Sequence, residues 1–190
     1  MPKIINIELQ KNEILRASVS LFARQGYIGL SMRSLALKLG MTTGTLYHYF
    51  KNKEDLYSQM LFVMAMNDSK ELLKKIESHY NAQKKLEIFS EFLESKTSYF
   101  QNAVLILLDA NRFKQDDKYL FTPLLKNAID LYERSILEIF ELKNQSDAST
   151  ILNLLIGIFT RSLIDNERLL NFKEELKDVI ITKENRHEFI

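Results

Sequence analysis

Apolar side chains recur every three or four positions along most of this chain, a spacing that places them on one side of an α-helix. We find no segment with the two-residue alternation of a β-strand. Only five glycines and two prolines interrupt the 190 residues. The pattern therefore predicts an all-α fold of long helices. The first, over about residues 11–24, is closed by Gly26 and carries its stripe on Ile14, Ala17, Leu21 and Phe22.

Two short helices separated by a glycine turn come next. Ser31 is placed to cap a helix from Met32 to about Leu39, and Gly40 can take the left-handed conformation that ends it. The Thr42 hydroxyl can accept a bond from a free backbone N–H of a second helix, over about residues 43–50. This order is that of a helix-turn-helix, in which the second helix reads base edges and the first crosses the DNA backbone.

The second of these helices has two different faces. Leu46 and Phe50 lie four positions apart and therefore share the side that meets a core, to which Leu35 also belongs. A short helix with one apolar stripe and one small polar face is suited to the major groove of DNA. The opposite side carries small or hydrogen-bonding residues: Thr43, Gly44, Thr45, Tyr47 and His48.

Three segments carry a resemblance to a known family: Ile14 to Tyr27, Ser31 to Ala36, and Gly44 to Leu56. In order and spacing they resemble the TetR family of bacterial transcriptional regulators over about residues 8–57. The resemblance implies a three-helix head with a helix-turn-helix, over residues 1–52, and a larger helical ligand-binding and dimerisation body, over residues 53–190. It does not extend to the body, where members of the family diverge in sequence.

The resemblance also implies a set of DNA-binding residues. Gly44 would let the helix approach base pairs, and Thr45 would meet a base edge or a thymine methyl group. Tyr47 and His48 carry groups suited to phosphate oxygens, although Tyr47 could also be a surface aromatic residue that only packs. Tyr49 is expected to be partly buried and structural. The full set is Arg33, Thr42, Thr43, Gly44, Thr45, Tyr47, His48 and Lys53.

The two cationic members of this set have different expected roles. Arg33 could reach a base or a phosphate, and Lys53 would add charge beside the free N–H groups that begin the fourth helix. Many members of the family have a lysine or another long side chain where this chain has Thr43, so the operator sequence stays open.

Charge is unevenly distributed along the chain. The overall net charge is +1, but residues 1–52 contain seven Lys or Arg and two Glu, a net +5, and the remainder is at −4. A basic head on an acidic body suits phosphate binding at one end, although a chance fluctuation could give the same asymmetry.

The body continues as helices. The fourth should run from Lys53 toward Tyr80 and connect head to body. A polar connector is expected at Lys114–Lys118, and no strand is expected there. The other predicted segments are residues 82–100, a break near Gln101–Asn102, then Ala103–Ala110, Thr122–Leu142, Ala148–Leu170 after a possible Asp147 cap, and Lys173–Ile181.

The resemblance implies that the chain is a homodimer, joined by the Thr122–Leu142 and Ala148–Leu170 helices in a four-helix interface. The second of these is too apolar on all sides for the surface of a monomer. The resemblance further implies a pocket for a small-molecule effector, whose identity and binding residues the sequence leaves open. An effector would change the separation of the two heads on a double-stranded DNA operator.

Several kinds of chemistry are not expected. There is no cysteine and no catalytic or metal-binding constellation, so we expect neither an enzyme nor a cofactor. The longest apolar run, Ile151–Phe159, is far short of the roughly 20 residues that span a bilayer, and the N-terminal residues do not resemble a secretory signal. We therefore expect a cytoplasmic protein without a membrane partner. His79 and His187 are expected at the surface.

Other interpretations remain at this point. Asp109 with Arg112, and Arg161 with Asp165, could orient a ligand, but ion pairs on a helix surface are the simpler interpretation. The preferred function is a ligand-responsive repressor, since repression is the usual mode of the family. A helical enzyme, or a structural DNA-binding protein without an effector, are the alternatives.

Overall fold

The computed structural model describes residues 7–110, 112, 114–115, 118–119, 122–165 and 172–185. Within these residues the fold is all-α, as predicted. The helices are α1 (Ile7–Gln25), α2 (Met32–Lys38), α3 (Thr43–Tyr49), α4 (Lys53–Lys75), α5 (Ala82–Ser95), α6 (Thr97–Ala110), α7 (Thr122–Phe140), α8 (Gln145–Ser162) and α9 (Phe172–Asn185). α8 ends at Ser162 and not at the predicted Leu170, because the N–H groups of Leu163 and Ile164 donate to carbonyls three positions back and form a turn. The surface position of His187 lies outside the described residues.

The region between α6 and α7 differs from the prediction. Instead of a connector without strands, β1 (Lys114–Gln115) and β2 (Lys118–Tyr119) form a short antiparallel pair in which Lys114 lies opposite Tyr119. Two residues per strand are too few to produce the alternation by which a strand is recognised in a sequence.

The break between α5 and α6 also differs from the prediction. It falls at Lys96, where the backbone leaves the helical region with φ −121°, and α6 then continues through Gln101–Asn102. The Gln101 side chain donates hydrogen bonds to the carbonyl and hydroxyl oxygens of Ser162, at 3.3 and 3.1 Å. This tertiary contact outweighs the weak intrinsic preference of polar amides against a helix interior.

Two further helix ends differ from the prediction. α4 ends at Lys75, before Tyr80, and the N–H of Tyr80 instead donates to the Glu77 carbonyl in a turn. Asp147 is not the cap of α8, because the helix begins at Gln145 and Asp147 is buried within its first turn. A carboxylate in the first turn of a helix is stabilised by the helix dipole, so it need not stand at the cap itself.

The contacts divide the chain into two compact units. The first contains Met1–Met64 and Leu105–Lys126, and the second contains Ala65–Val104 and Asn127–Ile190. The predicted division at residue 52 concerns function and stays a prediction.

The core of the first unit brings α1, α2, α3 and the start of α4 together with the end of α6. Leu35, Leu46 and Phe50 are at most 1% exposed, which confirms that they belong to the core. Beneath them, the Tyr57 ring meets Phe22 and Tyr27 edge to face, with centroids 4.9 and 5.2 Å apart. Edge-to-face contacts of this kind stabilise beyond the area that they bury.

The core of the second unit is formed by one apolar cluster to which α4, α5, α6, α7, α8 and α9 contribute. Phe89 of α5 and Phe140 of α7 lie at its centre, each 2% exposed, with ring centroids 5.4 Å apart. Lys85 is buried nearby and donates to the carboxylate of Glu141, which keeps the buried ammonium paired.

Replacing Phe89 by alanine should destabilise the fold. The change leaves a cavity against Phe140, and comparable deletions cost about 3–5 kcal/mol. Chemical denaturation measures the loss. Phe62→Ala is the matched control because Phe62 is 50% exposed, and its loss should stay within about 0.5 kcal/mol. Equal stabilities for the two variants would contradict the central position of Phe89.

Candidate nucleic-acid interface

Local hydrogen bonds build the pair α2 and α3. Ser31 and Ser34 form a reciprocal capping box, in which each hydroxyl accepts from the other residue's N–H, at 3.1 and 2.8 Å. Gly40 has a φ of +69°, and the next N–H, of Met41, donates back to the Ala36 carbonyl at 3.0 Å. A glycine is required here because other residues are strained in this left-handed conformation.

The cap of α3 uses two of the predicted DNA-binding residues. The N–H of Thr45 donates to the Thr42 hydroxyl at 3.0 Å, and the two hydroxyl groups are 2.8 Å apart. Thr42 is therefore committed to starting the helix, as its predicted role as a cap requires. Thr45 is half-buried and is held by the same pair of hydroxyl groups.

The solvent-facing side of α3 lies opposite the buried Leu46. Tyr47 is 52% exposed, His48 and Gly44 are exposed, and Thr43 is half-buried. A Cβ built at Gly44 would meet only the Thr42 hydroxyl oxygen, at 3.8 Å. Packing within the described chain therefore does not demand a glycine at this position. A glycine would be demanded if a binding partner approached the backbone of α3 closely at this position.

Tyr49 points away from this face. Its hydroxyl donates to the Gln10 side-chain oxygen at 2.5 Å, and the ring is half-buried. This confirms the expectation of a structural tyrosine, and it ties α3 to α1.

Exposed basic side chains lie on α1, on α2 and in the turn before α4. They are Arg16, Arg24, Arg33, Lys38 and Lys51. Lys11 is half-buried, and Lys3 lies outside the described residues. Such a surface attracts phosphates independently of sequence.

Lys53 is placed differently from the other predicted cations. Its ammonium donates to the carbonyl oxygens of Tyr27 and Leu30, at 2.6 and 2.7 Å, and lies 4.0 Å from the centre of the Tyr27 ring. Burial lowers the pKa of Lys53, and the nearby Asp109 carboxylate opposes this shift. Two of the three N–H donors of the ammonium are used by these carbonyls, which leaves at most one for a direct phosphate contact.

A buried polar cluster in the second unit was not found from the sequence. Asp68 is 4% exposed, and one of its oxygens accepts from the hydroxyls of Tyr99 and Tyr132, at 2.9 and 2.7 Å. The Lys96 ammonium lies 3.7 Å from the other oxygen and 2.5 Å from Glu71. Burial raises the pKa of Asp68, while the bonds from the two tyrosines lower it. In the sequence, the sign of this cluster is an aspartate placed among the apolar residues of α4.

Other kinds of site are not seen in the part of the chain that the structure describes. It contains no group of three His, Asp or Glu side chains that could hold a metal ion. None of its helices combines the length and apolar character needed to cross a bilayer. His79 is exposed, as predicted.

Comparisons with known proteins agree with this geometry. A family model described as "Bacterial regulatory proteins, tetR family" matches residues 14–60. The HTH-type transcriptional repressor AcnR of Corynebacterium diphtheriae is 32% identical over 89 residues, which are 42% of this chain and 47% of that protein. The match thus spans about half the length of that relative.

Two solved structures resemble the whole fold. Reduced NemR of E. coli has a TM-score of 0.69 over 89% of this chain and 96% of that chain, at 15% identity. FadR of Bacillus subtilis, solved with stearoyl-CoA, has a TM-score of 0.65 over 90% and 97%, at 16% identity. At these identities the likeness establishes the fold. The matched family and relative are regulators, in agreement with the expectation that the chain is not an enzyme.

Tyr47→Ala should weaken binding to duplex DNA by about tenfold, the effect of losing one hydrogen bond to a charged group. Tyr47→Phe removes only the hydroxyl and separates that bond from packing of the ring. Fluorescence anisotropy at matched salt measures the change. The control is Tyr80→Phe, which removes a hydroxyl that donates to Glu77 in the second unit and should not change the affinity. Unchanged affinity in Tyr47→Ala would place the reading face elsewhere.

Proposed function

We propose that this chain, whose residues 14–60 match the model of the tetR family of bacterial regulatory proteins, is a repressor that binds a palindromic operator as a homodimer and is released by a small-molecule effector. The observation that carries the proposal is the geometry of α3. It is anchored by the fully buried Leu46 and presents Gly44, Tyr47 and His48 to solvent. A helix held in this way can be inserted into a major groove without losing its core contacts.

The proposed DNA contacts divide into two kinds. Thr43, Gly44 and Thr45, at the start of α3, are proposed to approach base edges, where short side chains permit close contact. Tyr47, His48 and Arg33 are proposed to bind phosphates, which fix the register of the protein on the duplex. Thr42 supports this arrangement as the cap of α3, and Lys53 contributes at most through the backbone N–H groups that begin α4.

Binding to a palindromic operator requires two recognition helices, and therefore a dimer. Two recognition helices must lie about 34–36 Å apart to enter successive major grooves. We propose that α7 and α8 form the interface. On α8, Leu152 and Ile156 share one face and are only partly buried within a single chain, and Leu163, the residue after α8, is 38% exposed. Burying that face against its copy in a second subunit would remove this apolar surface from water.

The proposed effector site lies in the second unit. The buried cluster around Asp68 offers groups that could bind the polar part of a ligand, within an otherwise apolar core. The related fold of FadR is known with stearoyl-CoA. α4 begins directly after the reading helix and ends in the second unit, so a ligand that prefers another position of α4 would change the separation of the two heads.

Selection of bound sequences from a random duplex pool tests the proposal. We expect a palindromic sequence, bound by two subunits with an affinity that falls steeply with salt. Anisotropy titrations at two salt concentrations, with sizing of the complex, provide these measurements. The selected duplex then serves as a probe for compounds that release it. Binding to any duplex without enrichment, and without response to any compound, would favour the alternative of a structural DNA-binding protein.

Ile156→Glu should abolish the dimer, because it places a charge in the proposed α8 interface, where burial without a partner is costly. Size-exclusion chromatography with light scattering should show monomers, or the protein should become insoluble. Ile7→Glu is the control, since Ile7 is 55% exposed on α1, and it should leave the dimer intact. A soluble and unchanged Ile156→Glu dimer would move the interface away from α8.

A further inference from the structure

The turn between α1 and α2 is held from two sides through the backbone of one residue. The N–H of Tyr27 donates to a carboxylate oxygen of Asp109 at 2.6 Å, and its carbonyl oxygen accepts from the Lys53 ammonium at 2.6 Å. Asp109 lies in the last turn of α6, and Lys53 is the first residue of α4. All three residues belong to the first unit. Both bonds involve a charged group, which makes them stronger than bonds between neutral groups.

Gly26 makes room for the Asp109 carboxylate. Its φ is +68°, and its N–H closes the end of α1 by donating to the Phe22 carbonyl at 2.8 Å. A Cβ built there would lie 3.3 and 3.4 Å from the two carboxylate oxygens, closer than an ordinary contact. The glycine therefore both ends the helix and admits the side chain of a residue 83 positions further along the chain.

Close packing does not fill this junction. The hydroxyl of the buried Tyr57 donates to the Ile106 carbonyl at 3.1 Å and fixes α6 one turn earlier. Beside the Asp109 bond lies an open surface cleft of about 720 Å³, whose lining includes the polar residues Gln25 and Arg112 as well as the apolar residues Phe22 and Leu108. In a filled core, side-chain packing would fix the position of the turn. Here the Asp109 bond contributes more to that position.

The position of this turn matters for the reading helix. The turn leads directly into Ser31, the cap of α2, and into the exposed Arg33. α2 packs on α3, so a displaced turn displaces both helices relative to α4. Small misplacements are costly for DNA binding, because the contacts to base edges depend on hydrogen-bond distances.

We propose that Asp109 and Lys53 are positioning residues for DNA binding. They act through the backbone of Tyr27, which they hold so that α2 and α3 lie in the correct place on the start of α4. The Lys53 side chain therefore serves the interface from within the protein and not by binding a phosphate. This inference rests on the proposed DNA-binding function.

Asp109→Ala separates a positioning role from simple electrostatics, because the two predict opposite changes in the affinity for DNA. Removing a carboxylate makes the protein more positive, which by itself strengthens its attraction to DNA. A positioning role predicts the reverse, a loss of about tenfold in affinity for the selected duplex, the loss that accompanies one broken charge-assisted bond. Asp109→Asn keeps an acceptor oxygen for the Tyr27 N–H and should lose less. Hydrogen exchange should show faster exchange of the Tyr27 amide in Asp109→Ala.

Lys53→Met tests the other side of the turn through the salt dependence. A lost phosphate contact lowers the slope of log affinity against log salt by about 1. The positioning role predicts weaker binding by at least about tenfold, because the side chain donates two charge-assisted bonds, to the Tyr27 and Leu30 carbonyls, with the slope nearly unchanged. Arg33→Met is the reference for a proposed phosphate contact and should show the lower slope. The double variant Asp109→Ala/Lys53→Met should lose less than the two separate losses combined, because both act on one residue.

Glu13→Ala is the matched control for charge, since Glu13 is exposed on α1, and it should bind as tightly as the unchanged protein or slightly more tightly. Circular dichroism and sizing confirm that each variant is folded and has the same number of subunits. The inference is overturned if folded Asp109→Ala binds as tightly as the unchanged protein, or if Lys53→Met lowers the slope by about 1. If the unchanged protein binds no duplex at all, the proposed function fails instead.

Discussion

The helix α3, which we propose reads DNA, would not be stable in isolation. It has seven residues, and isolated helices shorter than about 12–15 residues are marginal in water. Its stability comes from the Thr42 cap, from the buried side chains of Leu46 and Phe50, and from the bond between Tyr49 and Gln10. Because one side of α3 supplies all of its anchoring, the other side remains exposed to solvent, where we propose that it reads DNA. The rest of the first unit determines where that exposed side lies.

Charge in the first unit has two separate uses. Exposed cations such as Arg16, Arg33 and Lys51 remain in solvent, where they can attract phosphates over a distance. Lys53 is withdrawn from this group and satisfies two carbonyl oxygens beneath the surface. A half-buried ammonium loses hydration, and the carbonyls and the Tyr27 ring replace it. A lysine such as Lys51 can therefore attract phosphates from the surface, whereas Lys53 stabilises the fold.

The second unit solves a different physical problem. It must bury an aspartate in an apolar core, which is costly unless the carboxylate is hydrogen-bonded. Two tyrosine hydroxyls and the Lys96 ammonium surround Asp68 and reduce this cost. The same polar cluster is the one that we propose for the polar part of an effector. The partly buried apolar face of α8 belongs to the interface that we propose with a second copy.

The sequence by itself determined the helical class, the caps at Ser31 and Thr42, the glycine stop at Gly40, and the core positions Leu35, Leu46 and Phe50. These features depend on residues within about four positions of each other, the range over which helix periodicity and capping act. Only the tertiary structure decided the partners of Lys53, Asp109 and Asp68, and the break at Lys96. The bond from Tyr27 to Asp109 joins residues 82 positions apart. Tertiary packing brings these two residues together, and the residues around each of them in the sequence carry no sign of the other. A local sequence pattern therefore cannot predict the contact.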